Sequence, residues 1–317
     1  MDNVYYMKEK MFMAYILLLL GMGLLMKGAD FFVDGSSSVA KTLKVPSVII
    51  GLTIVALGTS LPEASVSITA GLVGNNALAL SNVVGSNIFN TLVVVGCSAL
   101  IAPFLMDSQI LKRDLPINIL VTVVLVIFIL NGKLSRIEGL ILLCLLGLYI
   151  YSLVRAAVKN REEEEEPKVL SLPKSIIFIV VGVAAIILGG NLVVDNASII
   201  AKQWGWSDTL IGLTIVSIGT SLPELVTSIV AAKKGESGLS LGNAIGSNIM
   251  NILFILGASS TLHPILSTSE NMMDAIILVG VAIYMLVLTK VSSQMTRKKG
   301  LFSILIYGIY MAYILIR

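Results

Sequence analysis

The chain has 317 residues, of which 56% are hydrophobic and 13% are charged, and its mean hydropathy is +0.94. These values lie far from those of soluble globular domains and predict an integral membrane protein. The net charge of +3 does not indicate nucleic-acid binding, because most Lys and Arg residues lie in short connections between apolar runs. Cys97 and Cys144 lie in apolar runs outside any CxxC or Cys/His pattern, so we interpret them as packing residues.

Apolar segments long enough to cross a bilayer recur along the whole chain, which predicts an all-α membrane protein. Ten such segments fall at about 14–33, 45–72, 78–102, 116–130, 137–157, 176–194, 210–232, 239–262, 275–288 and 301–316. The fourth and fifth segments contain no polar group that suggests chemistry. Residues 159–174, with five consecutive glutamates, form the only linker. We interpret this linker as a solvated charged loop rather than a regulatory calcium sensor.

One repeat unit occurs twice in the sequence. Residues 51–63 read GLTIVALGTSLPE, and residues 212–224 read GLTIVSIGTSLPE. A second block, NVVGSNIFN at 82–90, recurs as NAIGSNIMN at 243–251, and both pairs of blocks are separated by 161 residues (224 minus 63). A fixed offset of this kind indicates an internal repeat. We therefore expect a first repeat at 1–158 and a second at 175–317, joined by the linker 159–174.

The GTSLPE block is an unusual sequence for a membrane segment. Pro62 has no N–H, so we expect the helix to open near Gly58 and Thr59. In hydrocarbon, an opened backbone occurs only where it lines a protein-enclosed or water-filled cavity. A buried glutamate such as Glu63 is costly there and marks a functional position. Freed carbonyls and a carboxylate together predict an oxygen-rich site suited to a hard cation.

Five segments per repeat have a topological consequence. An odd number makes the second repeat enter the membrane from the opposite side, so the two repeats are inverted and their shared site lies near the midplane. The connections after odd-numbered segments carry fifteen Lys and Arg residues, and the opposite side carries six. By the positive-inside rule, the linker is cytoplasmic and both termini are extracellular in a cell-membrane protein.

Polar residues of the two blocks recur at i, i+4 spacing, which places each pair on one helix face. These pairs are Thr59 with Glu63, Thr220 with Glu224, Ser86 with Asn90, and Ser247 with Asn251. Inverted symmetry would bring the two glutamates together, flanked by the two asparagines. Ca²⁺ accepts about six to eight oxygen ligands. The absence of His and Cys from the motifs argues against Zn²⁺ or Cu⁺.

Purely structural interpretations compete with this one. For Asn82, Asn243, Gly85 and Gly246, helix–helix hydrogen bonding or close packing is as acceptable as a role in transport. For the two glutamates, a structural role needs a basic partner at membrane depth, and Lys27 has no counterpart in the second repeat. We therefore favour function for both glutamates. Three aspartates near segment ends fit caps or structural bonds better: Asp30, Asp34 and Asp195.

The doubled GTSLPE followed by GSN-x-x-N resembles the alpha repeats of the sodium/calcium exchanger family, in the compact form of its prokaryotic members. The resemblance covers nearly the whole chain. It implies a central cation site at Glu63, Asn90, Glu224 and Asn251. It also implies flanking sodium sites at Thr59, Ser60, Ser86, Thr220, Ser221 and Ser247, with backbone carbonyls from Ala56 and Ser217. Two positions depart from the family pattern, since some members carry an acid at Asn251 and a small apolar residue is common at Ser217.

The resemblance implies a secondary antiporter that exchanges Na⁺ for Ca²⁺ by alternating access. Two carboxylates match one Ca²⁺ in charge, so exchange for three Na⁺ would be electrogenic, and no further fixed carboxylate favours K⁺. A Ca²⁺/H⁺ antiporter is the main alternative, because two adjacent carboxylates can also take protons. A channel is a further alternative. No nucleophile–base pair, phosphate loop or metal-hydrolase spacing indicates an enzyme, and we expect no cofactor and no obligate protein partner beyond the ions and the lipid bilayer.

Overall fold

The computed structural model describes residues 2–72, 76–159, 170–207 and 211–316, apart from the side chains of 2–10, 71–72, 76–78, 212–213 and 217. Most of the predicted linker therefore lies outside the described residues. The described chain forms ten helical segments, which we number α1 to α10. Five of them are uninterrupted α-helices with long apolar stretches: α1 (Asp2–Leu43), α5 (Arg136–Lys159), α6 (Leu172–Gln203), α9 (Ser269–Val291) and α10 (Arg297–Ile316).

The other five helical segments each contain a π-helical stretch, and in four of them it lies within or at the end of a repeated sequence block. α2 consists of Ser47–Ile50, π-helical Gly51–Val55, Ala56–Thr59 and Leu61–Leu72, and α7 of π-helical Gly212–Val216, Ser217–Gly219 and Leu222–Lys233. α3 consists of Asn76–Phe89, π-helical Asn90–Val94 and Val95–Ile101, and α8 of Ser237–Met250, π-helical Asn251–Leu256 and Gly257–Leu262. α4 joins π-helical Ile110–Asp114 to Leu115–Ile129.

The predicted all-helical membrane fold is confirmed. Among the described residues, seven helices are long and apolar enough to cross a membrane, and the bent α2 makes an eighth. α4 is not among these helices, because its apolar part, Leu115–Ile129, has 15 residues and follows the charged residues Lys112, Arg113 and Asp114. α7 is the broken counterpart of α2. The ten helical segments therefore follow the predicted order.

Four short strands show that the two repeats are inverted: β1 (Phe104–Leu105), β2 (Lys133–Leu134), β3 (Ile265–Leu266) and β4 (Gln294–Met295). β1 pairs antiparallel with β4, and β2 pairs antiparallel with β3. The α3–α4 connection therefore lies beside the α9–α10 connection, and the α4–α5 connection beside α8–α9. If each of the ten segments crosses the membrane, the paired connections do lie on the same side. We call the side of α3–α4, α5–α6 and α9–α10 the linker side, and the opposite side the terminal side.

Burial separates central from peripheral helices. In the most apolar 18-residue stretch of α8, 94% of residues are buried, and the value for α3 is 78%. The corresponding values are 33% for α1 and 17% for α10. α3 and α8, which carry the GSN blocks, therefore form the centre, and α1 and α10 face lipid. The polar motif residues thus lie where neighbouring helices enclose them.

α1 and α6 are longer than predicted and pack against each other along their length. Glycines at seven-residue spacing line the contact: Gly21, Gly28 and Gly35 on α1, and Gly182 and Gly189 on α6. A Cβ added to Gly28 would lie 2.8 Å from the Ile186 nitrogen. Small residues let helix backbones approach closely in a membrane. The contact extends along the polar ends of α1 and α6, which hydropathy alone predicts to be loops.

The break in α2 differs from the expected opening near Gly58 and Thr59. The helix bends by 49° at Ser60, but its backbone bonds largely persist. The Ser60 N–H donates to the Ala56 carbonyl at 3.1 Å, and the Ala64 N–H donates to the Ser60 carbonyl at 3.0 Å. Pro62 removes only one donor, so the chain bends instead of unwinding.

Candidate cation site

The two glutamates of the GTSLPE blocks are fully buried, with 0% of each residue exposed. Glu63 Oε1 accepts a hydrogen bond from Ser221 Oγ at 3.1 Å, and Glu224 Oε1 accepts one from Ser60 Oγ at 2.9 Å. Each serine belongs to the repeat opposite the glutamate that it contacts. The pseudo-two-fold axis that relates the two repeats converts one of these bonds into the other. The bends of α2 and α7 therefore meet across this axis.

Several buried oxygens around these glutamates have no hydrogen-bond partner among the described residues. They are Glu63 Oε2, Glu224 Oε2, Asn90 Oδ1, Asn251 Oδ1 and Ser86 Oγ. A buried polar atom without a partner is costly, and a carboxylate oxygen is especially so. Asn90 Nδ2 is the one nitrogen of these side chains that also has no partner among the described residues. The oxygens carry two formal negative charges and come from both repeats. Its chemistry suits a hard cation such as Ca²⁺ or Na⁺.

The described residues contain no cluster of three or more His, Cys, Asp or Glu side chains that could hold a metal ion. Neutral amide and hydroxyl oxygens therefore make up the rest of the ligand set. Within the described part of the chain, neither glutamate forms an ion pair with a basic residue. Lys27, the basic residue considered as a partner, is paired with Asp30 at 3.7 Å, and its side chain is 78% exposed.

Asn82 and Asn243 form hydrogen bonds with residues on both sides of the bends in α2 and α7. Asn82 Nδ2 donates to Ser67 Oγ at 3.0 Å, and Asn243 Nδ2 donates to the matching Ser228 Oγ at 2.9 Å. Their Oδ1 atoms accept from the motif threonines at 2.8 Å for Thr59 to Asn243 and 3.4 Å for Thr220 to Asn82. The two bonds from the threonines join helices of opposite repeats, which favours the structural interpretation of both asparagines.

The remaining predicted residues surround the same bends. Ser247 Oγ lies 3.4 Å from both Glu224 Oε1 and the Ala56 carbonyl oxygen. The Ala56 carbonyl also accepts the Ser60 N–H, so a helix bond uses part of its capacity. Ser217 begins the short helix Ser217–Gly219, and its side chain lies outside the described residues. A Cβ added to Gly246 would lie 2.7 Å from Leu52 Cα, which indicates close packing.

Two of the three aspartates near the helix ends, Asp30 and Asp34, form structural bonds, as expected. Lys234 Nζ lies 2.8 Å from Asp34 Oδ1 and 3.4 Å from Asp30 Oδ1. Lys41 Nζ lies 3.6 Å from Glu236 Oε1. These ion pairs fasten α1 to the α7–α8 connection on the linker side.

One buried polar cluster was missed by sequence reasoning, which found the fourth and fifth segments plain. Asp114 in α4 is fully buried and lies 2.9 Å from Arg113 Nε. It also accepts from the Tyr149 hydroxyl of α5 at 3.3 Å. The adjacent charges of Arg113 and Asp114 were the available signal, but the contact with Tyr149 depends on helix packing.

A cavity lies beside the site on the terminal side. It has a volume of 420 Å³, lies between α2, α6 and the terminal-side half of α7, and its lining includes Pro62, Asp195 and Thr220. The two glutamates are fully buried and are not among the residues that line it. Val216 in its wall is 43% exposed, whereas the counterpart Val55 is 1% exposed.

The motif glycines at both bends are closely packed. A Cβ on Gly58 would lie 2.8 Å from Phe32 Cζ, and a Cβ on the counterpart Gly219 would overlap Val194 Cγ2. The cavity therefore approaches the site from the terminal side without exposing either glutamate.

Comparison with known proteins identifies the class of protein. The family model described as sodium/calcium exchanger protein matches residues 13–155 and 174–316, two ranges that are again separated by 161 residues (174 minus 13). Because these matches cover most of the chain, it belongs to this family.

Individual relatives agree with the family model. The putative antiporter CaxA of Alkalimonas amylolytica is 42% identical over 265 residues, which span 80% of this chain and 82% of that protein. The sodium/calcium exchanger MaX1 of Methanosarcina acetivorans is 32% identical over 337 residues, which span 92% and 96%. A solved structure of the sodium-calcium exchanger NCX_Mj, soaked with zero Na⁺ and Ca²⁺, superposes with a TM-score of 0.83 at 33% identity, covering 95% of this chain and 98% of that one.

Proposed function

We propose that this chain is a secondary antiporter that exchanges Na⁺ for Ca²⁺ by alternating access. One observation carries the proposal: five buried oxygens from both repeats, two of them carboxylate oxygens of Glu63 and Glu224, have no hydrogen-bond partner within the described residues. A cation bound among them would offset the cost of burying these oxygens. Two acids and several neutral oxygens suit one Ca²⁺ or a few Na⁺ ions.

The ligand assignment follows from charge and position. Ca²⁺ binds at Glu63, Glu224, Asn90 and Asn251, where both formal charges lie. Na⁺ ions use the same carboxylates together with the surrounding hydroxyls and carbonyls, at Thr59, Ser60, Ser86, Thr220, Ser221, Ser247, Ala56 and Ser217. The two carboxylates balance one Ca²⁺, whereas three Na⁺ bring one more positive charge. Exchange is therefore electrogenic and independent of K⁺.

The inverted repeats support alternating access. An antiporter must expose one central site to each side in turn, and broken helices at the interface of inverted repeats allow this. The terminal side, where the cavity lies, is extracellular, since the linker side carries most of the Lys and Arg residues of the connections. The protein lies in the cell membrane, where an inside-negative potential drives Na⁺ entry and Ca²⁺ exit. The repeats 1–158 and 175–317 supply one half of the site each, and the linker 159–174 is a cytoplasmic connection.

Ca²⁺/H⁺ exchange is the second candidate, because two carboxylates buried at one site can also take protons. The hydroxyls favour Na⁺. Ser60 and Ser221 contact the carboxylates directly, and Ser86 Oγ is buried without a hydrogen-bond partner in the described part of the chain. A proton needs no such set of oxygens.

The experiment that tests the proposal is uptake of radioactive Ca²⁺ into liposomes containing the purified protein. We expect an outward Na⁺ gradient to drive uptake in the absence of a pH gradient. Protein-free liposomes and a Na⁺ ionophore control for leak. Uptake driven by a pH gradient and indifferent to Na⁺ would establish the second candidate instead.

A further inference from the structure

Asn87 is a fully buried side chain of α3 that lies beside the cation site. It contacts α8 twice. Its Nδ2 donates to the main-chain carbonyl of Asn248 at 3.0 Å, and its Oδ1 accepts from Asn251 Nδ2 at 3.0 Å. Asn87 thus joins a backbone carbonyl to the amide of a proposed cation ligand.

The direction of these bonds is fixed by their chemistry. A main-chain carbonyl can only accept, so the Asn87 NH₂ group must face Asn248. The Asn87 oxygen then faces Asn251 and can accept only from an NH₂ group. The Asn251 amide is thereby held with its nitrogen toward Asn87, and its Oδ1 is left buried with no hydrogen-bond partner among the described residues.

We infer that Asn87 is a positioning residue that holds the Asn251 amide with its oxygen, not its nitrogen, toward the bound cation. The inference rests on the proposed function and deepens it. An inverted amide would present two N–H donors to a cation, which would repel it. Groups behind a ligand that fix its orientation commonly affect metal affinity as strongly as some direct ligands do.

The first repeat does not reproduce this arrangement. Asn248 is the counterpart of Asn87, but its Nδ2 donates to Thr91 Oγ1 at 2.8 Å. Thr91 in turn donates to the Asn87 carbonyl at 2.9 Å, and Ile252 stands at the position that corresponds to Thr91. Both amide atoms of Asn90 are without a partner in the part of the chain that the structure describes. The site therefore has one fixed amide, on α8, and one that can rotate, on α3.

The test compares Asn87→Ala with Asn248→Ala in reconstituted protein. The two asparagines are equally buried, and Asn248→Ala keeps the main-chain carbonyl that orients Asn87. For Asn87→Ala we expect the Ca²⁺ concentration at half-maximal exchange to rise about tenfold or more, with the maximal rate little changed. For Asn248→Ala we expect a change of no more than about twofold.

One further variant separates orientation from packing. Asn87→Leu fills the same space without polar atoms and should weaken Ca²⁺ binding as Asn87→Ala does; it supplies the measurement if the alanine variant is not monodisperse.

Wild-type exchange is measured first. Absence of Na⁺-driven Ca²⁺ flux in the wild type contradicts the proposed function and the inference with it. Normal wild-type flux contradicts the positioning role alone if Asn87→Ala and Asn87→Leu leave the half-maximal Ca²⁺ concentration unchanged, or if Asn248→Ala raises it equally.

Discussion

Glu63 and Glu224 are held alike: each carboxylate binds a serine of the opposite repeat through one oxygen and leaves the other oxygen without a hydrogen-bond partner among the described residues. Sequence could predict both residues because Pro62 and its repeat mark a costly acid at membrane depth. It could not predict Asn87, because the role of that residue depends on which way two amides face. Nor could it predict the contact of Asp114 with Tyr149, which lies on another helix.

Neutralising either glutamate should abolish Ca²⁺ transport. Glu63→Gln or Glu224→Gln leaves one fixed charge against a divalent ion in a medium of low dielectric constant. Both variants should fold, because removing a buried charge relieves a desolvation cost. The measurement is Na⁺-driven Ca²⁺ flux together with size-exclusion behaviour, and Glu138→Gln, far from the site in the sequence and bonded to Ser135, is the control. Robust exchange by either variant would refute a shared two-carboxylate site.

Among the helices, α1 and α6 differ most from expectation. Hydropathy ended the first segment at residue 33, but α1 extends to Leu43, and α6 spans Leu172–Gln203. Their glycine-lined contact and the ion pairs of Lys234 stabilise polar helical turns that a hydropathy pattern assigns to loops. The π-helical stretches of α2, α3, α7 and α8 were not predicted either, since an apolar run does not distinguish a π-helix from an α-helix.

A methyl group in the α1–α6 contact should destabilise the protein. In Gly28→Ala, the added Cβ would meet the backbone of α6 at 2.8 Å, so the helices must separate. We expect a loss of about 1–3 kcal/mol and a lower melting temperature in detergent. Gly23→Ala is the matched control, because no heavy atom lies within 4 Å of its added Cβ. Equal melting temperatures for the two variants would show that the contact is not tightly packed.

The whole molecule is an inverted pair of repeats, and the strand pairing of β1 with β4 and β2 with β3 expresses that symmetry on both sides of the membrane. The inversion was predictable because each repeat has an odd number of spanning segments. The conformational state was not, since the two GTSLPE blocks are nearly identical. The two repeats differ outside these blocks, where Phe32 of α1 corresponds to Val193 of α6, and the cavity beside the site lies on the terminal side.

Sidedness can be tested by cysteine labelling in a background with Cys97 and Cys144 replaced. Glu164→Cys should react with an impermeant maleimide only from the cytoplasmic side, and Arg317→Cys only from outside, because positive charge concentrates on the linker side. Labelling of whole cells and of inverted vesicles separates the two cases. The reverse pattern would invert the topology and with it the side of the membrane on which the cavity lies.

Exchange of Na⁺ for Ca²⁺ at a site with two carboxylates is tested most directly by the voltage dependence of Na⁺-driven Ca²⁺ flux in proteoliposomes. Two fixed carboxylates balance one Ca²⁺, so each cycle against three Na⁺ should move one net charge, worth about 2.3 kcal/mol per 100 mV. With the potential set by a valinomycin–K⁺ gradient, making the compartment that Ca²⁺ leaves more negative should accelerate exchange. At zero potential, the flux should be the same with and without K⁺. A flux that ignores voltage, or that requires K⁺, would contradict exchange at a site with these two charges.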